Sequence, residues 1–288
     1  MLKQLVFSIF ECNVDKSLIK DVHIVIVDND IDKTAEITTN EIKEKFNANF
    51  RIIYHNYPIK GLSNVRNELL KKAFELDPKF IIFIDDDQYV ASVWLNELVK
   101  TIVYNNGDMV IGPVISVFNT NISKNISCWF ERPSHSADAQ MDFIRTGNLA
   151  INADSLLKFK VGFDNRFNIT GGEDTYFGNQ LLKKGAKIFY AANAIAYETV
   201  PENRANIKWL ITRWYRDSST DIYLYKIEKE YLKILTIIFI SLINIIVGIL
   251  TIIFILIPFK RNLWGLRRLS LGIGGLTGLF DIFYFEYK

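Results

Sequence analysis

The sequence predicts an α/β fold, a three-layer, Rossmann-like domain built on a mixed, mostly parallel sheet and followed by a separate helical region. Three observations carry this. Short runs of β-branched and aromatic residues alternate with helical patterns at close spacing, which argues for a sheet covered on both faces. Several of these runs end in acids, most densely at Asp85-Asp86-Asp87 after the apolar Phe80–Ile84. Finally, no residue between 234 and 259 is charged, a stretch longer than the about 20 apolar residues that cross a bilayer as one helix.

Taken in order, Leu2, Leu5, Val6, Ile9 and Phe10 follow the spacing of an amphipathic helix, so the chain opens on one. A strand over 23–27 ends in Asp28-Asn29-Asp30, a helix over 34–46 follows, and a strand over 50–54 ends near His55-Asn56. Gly61 precedes a helix over 62–76 that carries Arg66 and Asn67, and Pro78 precedes the aspartate strand. Next come a helix over 94–104, a strand over 109–117 interrupted by Gly112-Pro113, and a polar segment over 119–138 read as including a mobile loop. A short strand over 149–151, a loop over 164–172, a helix over 175–184 ended by Gly185, a strand over 187–191 and a helix over 209–225 follow. This first region is expected to occupy residues 1–225.

Residues 226–288 read as membrane-associated, with a transmembrane helix over 234–259 and a second apolar segment over 269–285. Gly272, Gly275 and Gly278 let the second segment pack closely on the first as a hairpin, and an interfacial helix fits as well. Basic residues flank both sides, with Lys226, Lys229 and Lys233 before and Lys260, Arg261, Arg267 and Arg268 after, so loop charge leaves orientation open.

A net charge of +2 and the lack of a basic stripe in the first two hundred residues argue against nucleic acid as a partner. Cys12 and Cys128 have neither metal spacing nor numbers for a disulfide framework, so a reducing compartment fits. The sequons at Asn121, Asn125 and Asn168 read as chance beside the lack of a signal peptide. The catalytic portion is therefore expected in the cytoplasm, attached to the plasma (inner) membrane.

The acids form a constellation. Clustered carboxylates at the carboxyl end of a buried strand suit a hard divalent cation that carries substrate phosphates; a solvated acidic turn is the plainer alternative. Glu173 and Asp174 stand at a helix start, where capping is an ordinary role, but Gly171-Gly172 before them lets the backbone approach a ligand.

In their order and spacing, these features resemble glycosyltransferase family 2, inverting enzymes of the GT-A fold, over residues 1–217. The motifs that carry the likeness are Val27-Asp28-Asn29-Asp30, Asn64-Val65-Arg66-Asn67, Asp85-Asp86-Asp87, Thr146-Gly147-Asn148, Gly171-Gly172-Glu173-Asp174, the segment from Glu198 to Arg204, and Arg213-Trp214-Tyr215-Arg216. The resemblance implies that Asp28, Asp30 and Arg66 line the nucleotide pocket, that Asp85 and Asp86 reach ribose or sugar, and that Asp87, with Asp85, holds Mg2+ or Mn2+. It makes Asp174 the base that deprotonates the acceptor hydroxyl, with Glu173 supporting acceptor binding. Arg204, Arg213 and Arg216 are placed to hold a diphosphate, or else face acidic lipid headgroups.

Three departures stand out. The first residues match the helix that follows the family's first strand and its nucleotide-holding turn, so the expectation is that Met1 is an internal start or that the chain is truncated before that strand. Leu210 replaces the Gln of Gln-x-x-Arg-Trp, which removes support for processive polymerisation. Glu198 stands where the family often has His.

The implied function is transfer of one sugar from a nucleotide-sugar donor, with a lean to uridine diphosphate. The acceptor is a glycan or lipid-linked intermediate in cell-surface polysaccharide biosynthesis. A non-catalytic membrane-anchored relative and a sugar nucleotidyltransferase are the alternatives; the latter lacks its glycine- and basic-rich triphosphate loop here.

Overall fold

A computed structural model describes residues 1–45, 50–256 and 262–284. Along the chain run α1 (Leu2–Phe10), β1 (Val22–Asp28), α2 (Thr34–Lys45), β2 (Phe50–Asn56), α3 (Leu62–Phe74), β3 (Phe80–Ile84), β4 (Gln88–Val90) and α4 (Trp94–Tyr104). There follow β5 (Met109–Ile111), β6 (Val114–Phe118), α5 (Lys124–Ser127), β7 (Gln140–Met141), β8 (Asn148–Asn152), α6 (Ala153–Phe159) and α7 (Glu173–Lys183). The last elements are β9 (Ile188–Tyr190), β10 (Ala196–Val200), α8 (Ile207–Glu228), α9 (Tyr231–Thr251) and α10 (Trp264–Gly278). The end of the helix expected over 34–46, residues 257–259 of the expected membrane helix and residue 285 lie outside the described residues.

The chain forms two compact units, one of Met1–Ile115, Arg132–Asn168 and Glu173–Thr199, the other of Ser116–Glu131, Ile169–Gly172 and Val200–Lys288. In the first, β1 and β2 pair in parallel from Val22↔Phe50 to Asp28↔Asn56, with α2 as the crossover. A five-stranded sheet has the order β3-β8-β5-β9-β7. Its β8 runs antiparallel to both β3 and β5, β9 runs parallel to β5, and β7 antiparallel to β9. The sheets are thus mixed, and parallel pairing is confined to β1–β2 and β5–β9 among these ladders. Strand–helix alternation reports a helical crossover where one exists; β8 follows a loop from β7 instead, and enters the sheet in the opposite sense.

Side-chain alternation along these strands explains the three layers. Ile81, Phe83, Met109, Ile111, Leu149 and Ile151 point to one face, where Leu156, Phe163, Phe177 and Leu181 cover them. Ile82, Ile84, Val110 and Ala150 point to the other, against Leu5 and Ile9 of α1 and Trp94, Leu98 and Ile102 of α4. Each fully buried side chain of this size contributes about 1.5–3 kcal/mol over its exposed state.

The expected strand over 109–117 is split into β5 and β6. The break falls at Gly112-Pro113: Pro113 has no N–H for a ladder, and beyond it the chain leaves the five-stranded sheet for a second one with β4 and β10. β4 and β10, antiparallel with Gln88 opposite Glu198, carry no periodic pattern and were not expected.

In the second unit Phe130, Leu210, Trp214 and Leu263 form a core with Trp129 and Trp209. α10 packs between α8 and α9 through small residues. Gly272 lies against Ser241 and Ile245 of α9, and Gly278 against Ser219 of α8.

Candidate functional site

The three aspartates occupy the turn between β3 and β4. The turn is fixed from both sides: the Gln88 N–H donates to the Asp85 carbonyl at 3.2 Å, and the Thr199 N–H of β10 donates to the Asp87 carbonyl at 3.0 Å. Pairing of Gln88 with Glu198 brings the Glu198 carboxylate to the same turn. Glu198 is held there by an ion pair with Arg132.

Arg66 projects from α3 and is buried, as is Glu173 in the first turn of α7. Their side chains form an ion pair, Nη1 to Oε1. The same guanidinium lies 3.9 Å from Asp85 through Nη2, and its plane sits 5.6 Å over the Phe163 ring. Glu173 Oε2 is buried without a hydrogen-bond partner.

Stitching between α3 and the segment before α7 makes this geometry. Asn67 mimics a backbone strand partner, accepting from the Phe163 N–H at 2.9 Å and donating to the Phe163 carbonyl at 2.7 Å. The Asn64 N–H, a free amide of the first helical turn, donates to the Asn168 side chain at 3.1 Å. Ser63 Oγ donates to the Asp164 carbonyl at 2.8 Å.

Half of the Asp85 side chain is open to solvent, yet its carboxyl is pushed above the usual range, first by the protein enclosing its other side. Arg66 opposes this, while the negative charges of Glu198, Asp174 and Asp86 add to it. Four carboxylates from three stretches of chain therefore share one electrostatic field with the guanidinium of Arg66, and Glu198 also pairs with Arg132. Asp174 is half-buried, and its Oδ1 accepts from the Thr175 N–H at 2.7 Å.

Gly147 borders the same place. A Cβ there would lie 2.7 Å from Asp85 Oδ2 and 3.0 Å from Gln88 Nε2. Its neighbour Asn148 is buried and structural: it accepts from Trp94 Nε1 at 2.9 Å and donates to the carbonyls of Pro113 at 3.0 Å and Ala194 at 2.8 Å.

Asp28 and Asp30 form a different cluster. Asp28 accepts from the Asp30 N–H at 3.0 Å, the Ala35 N–H at 3.0 Å and the Tyr54 hydroxyl at 2.9 Å. Burial, then the Asp28 bond, push the Tyr54 phenol up to about 12. Asp30 accepts from Thr34 at 2.9 Å, and Asn56 donates to both aspartate carbonyls. Both acids thus shape the turn from β1 into α2. Arg204 and Arg213 belong to the second unit, where Arg213 lies 5.1 Å over the Trp209 ring and 4.0 Å from Asp217.

The structure brings together Asp85, Asp86, Asp174, Glu173 and Arg66 of the expected residues. It adds Gln88 and Arg132, which the sequence did not single out: Arg132 stands in an aperiodic segment, 66 residues from its partner Glu198. Glu173 is seated behind Asp174 as the partner of Arg66.

For the implied cation, the donor set is chemically suitable: oxygen ligands whose repulsion a divalent charge relieves. Among the described residues no group of three His, Cys, Asp or Glu side chains is arranged to hold a metal ion.

Comparison with known proteins bears on the family and the fold. Residues 2–158 match the family described as Glycosyl transferase family 2. A similar protein is "Succinoglycan biosynthesis protein ExoM" of Rhizobium meliloti (strain 1021), 27% identical over 203 residues. That match covers 68% of this chain and 63% of ExoM, so the chain spans less than two thirds of this relative. Among solved structures, S. aureus TarS 1-349 in complex with UDP-GlcNAc aligns with a TM-score of 0.52 at 16% identity, covering 77% of this chain and 62% of TarS 1-349. GalNAc-T7 with UDP, GalNAc and Mn2+ aligns with a TM-score of 0.54 at 15% identity, covering 77% and 46%. These likenesses are of fold, and they identify the α/β architecture as GT-A-like. With more than half its length matched to the family, the chain belongs to glycosyl transferase family 2.

Proposed function

We propose that the chain transfers a single sugar, with inversion, from a nucleoside-diphosphate sugar, UDP-linked, to the hydroxyl of a glycan or lipid-linked acceptor in cell-surface polysaccharide biosynthesis. The observation that carries the reading is the shared field of Asp85, Asp86, Asp174 and Glu198 around Arg66. Such a field suits a donor that brings a diphosphate and its counter-ion.

In this reading Asp174 takes the proton from the acceptor hydroxyl as its oxygen attacks the anomeric carbon. The bond from that carbon to the diphosphate breaks, and the nucleoside diphosphate departs on the opposite face. Asp87 and Asp85 would hold Mg2+ or Mn2+, which neutralises charge on the leaving diphosphate. Asp86 faces ribose or sugar, and Asp28 and Asp30 shape the nucleotide pocket with their turn. Arg66 is fixed by Glu173, so its positive charge stays aimed at Asp85 without reorganisation. Glu173 thereby supports Asp174 and the acceptor indirectly. Arg204 and Arg213 offer fixed positive charge for a diphosphate.

Membrane attachment through residues 226–288, at the cytoplasmic face of the plasma or inner membrane, completes the proposal. It is supported by α9, 21 residues long, apolar and mostly open to its surroundings. The homology to a succinoglycan biosynthesis protein agrees with it.

The experiment is UDP release from UDP-sugars with Mn2+, by wild type and Asp87→Ala. Wild-type turnover at least tenfold above the variant is expected; equal rates for both overturn the reading in favour of a non-catalytic relative.

A further inference from the structure

Granted the membrane attachment proposed above, the second unit contains what decides how α9 meets the bilayer. One face of α9 is open along its length: Leu232, Leu235, Phe239, Ile246, Ile249 and Leu250 are 59–82% exposed, at three- and four-residue steps. Ser241, Asn244 and Gly248 on the other face are buried. At about 1.5 Å per residue the helix is about 31 Å long, which by itself suits crossing the membrane as well as lying on it.

The charges that travel with α9 separate the two. α10 runs antiparallel to α9, since Gly272 meets Ser241 and Ile245 while Gly265 meets Thr251 and Ile252. It runs parallel to α8, since Gly274 meets Tyr215 and Gly278 meets Ser219 and Ile222. Gly275 touches both neighbours, Ser241 of α9 and, at 3.0 Å, Ser218 of α8. Ser218 is therefore level with Ser241, the middle of α9.

Around that level α8 carries Arg213, Arg216, Asp217 and the exposed Asp221. Arg268 of α10 donates to Asn244 of α9 at 2.7 Å, also near mid-helix, and its Nε is buried without a partner. A crossing α9 would carry these groups to the centre of the hydrocarbon, where Arg and Asp are strongly disfavoured. The ion pair of Arg213 with Asp217, at 4.0 Å, offsets only part of this. Lys226, in the last turn of α8, bonds Asp281 at 2.5 Å and so ties the end of α8 to the segment that follows α10.

We propose that α9 seats the protein in a single leaflet of an anionic membrane, lying lengthwise at the headgroup–acyl boundary with its open face down, and does not cross. Residues 226–288 contain eight Lys and Arg against four Asp and Glu, a surplus that anionic headgroups attract. Tyr231 and Tyr284, 70% and 48% exposed, follow from this antiparallel packing to one end of the bundle, where aromatic residues suit a lipid–water boundary.

The test labels the full chain with a membrane-impermeant maleimide, using Lys229→Cys before α9 and Lys260→Cys after it. The natural Cys12 and Cys128 are buried and give little background. Seating in one leaflet expects both variants to label in sealed inverted vesicles and neither in spheroplasts. Labelling of Lys260→Cys in spheroplasts alone, with Lys229→Cys labelled in inverted vesicles alone, overturns the proposal. As a second measurement, the wild-type chain is mixed with preformed vesicles of phosphatidylglycerol and phosphatidylethanolamine. It is expected to sediment with them at least tenfold more than Leu235→Asp/Ile246→Asp. A wild type that forms dimers and ignores the vesicles assigns the open face to a second copy and overturns the proposal. Sugar transfer to a soluble acceptor, assayed alongside, reports separately on the glycosyltransferase reading.

Discussion

Arg66 and Glu173, 107 residues apart, form a buried ion pair that joins helix α3 to the first turn of α7. The pair fixes the Arg66 guanidinium beside Asp85 and the helix turn that presents Asp174. Removing one partner leaves the other charged and buried, so Arg66→Ala is expected to destabilise the protein by about 3–5 kcal/mol. Arg66→Met/Glu173→Leu is expected to recover most of that loss while remaining inactive. Thermal or denaturant unfolding of the three proteins checks this; an Arg66→Ala chain as stable as wild type contradicts the role of the pair.

Gly147→Ala tests how closely the backbone approaches the acids. The added methyl would come within 2.7 Å of Asp85 Oδ2, so the carboxylate must shift. A loss of about 100-fold in kcat/KM for the donor is expected, as for displacements of about 1 Å in other sites, with stability changed little. Unaltered donor kinetics would place Asp85 outside the reaction.

Asp221 gives a pH dependence of stability. Although the residue's outer surface is exposed, the protein packed around its carboxyl pushes it up to about 6, and the charge of Asp217 adds to this. The folded protein therefore holds this proton more tightly than the unfolded chain, whose Asp titrates near about 4. Below about pH 4 the group contributes no difference; as pH rises towards 6 the folded state loses stability, and the penalty is complete above 6. Asp221→Asn removes it. The variant's melting temperature is expected to match wild type at pH 4 and exceed it at pH 7.5, and the reverse order contradicts the assignment.

Much of this was legible in the sequence, for reasons particular residues make plain. β1 and β3 are runs of Ile, Val and Phe whose length specifies strands, and the acids that end them are adjacent in sequence; β2 is legible from Phe50 to Tyr54 and ends in His55-Asn56. The apolar helix expected over 234–259 is found as α9, but it ends at Thr251, beyond which residues 252–256 wind more tightly as a 3-10 helix. β4 and β10 were not legible: three and five residues without periodicity become strands only by pairing with each other, Gln88 opposite Glu198. Strand direction was also invisible at β8, because direction depends on the path of the preceding loop. Charge partners lie furthest from view. Nothing near Arg132 announces Glu198, and nothing in Asn64-Val65-Arg66-Asn67 tells that Asn67 would clasp Phe163 while Arg66 reaches Glu173.

The central claim is that Asp174 acts as the base within a field set by Asp85, Asp86 and Glu198. Its most direct measurement is kcat for sugar transfer by Asp174→Asn against wild type, with donor binding followed in parallel. The account predicts a fall of about 100- to 10,000-fold in kcat with donor affinity within a few fold of wild type. Full turnover by Asp174→Asn would contradict it.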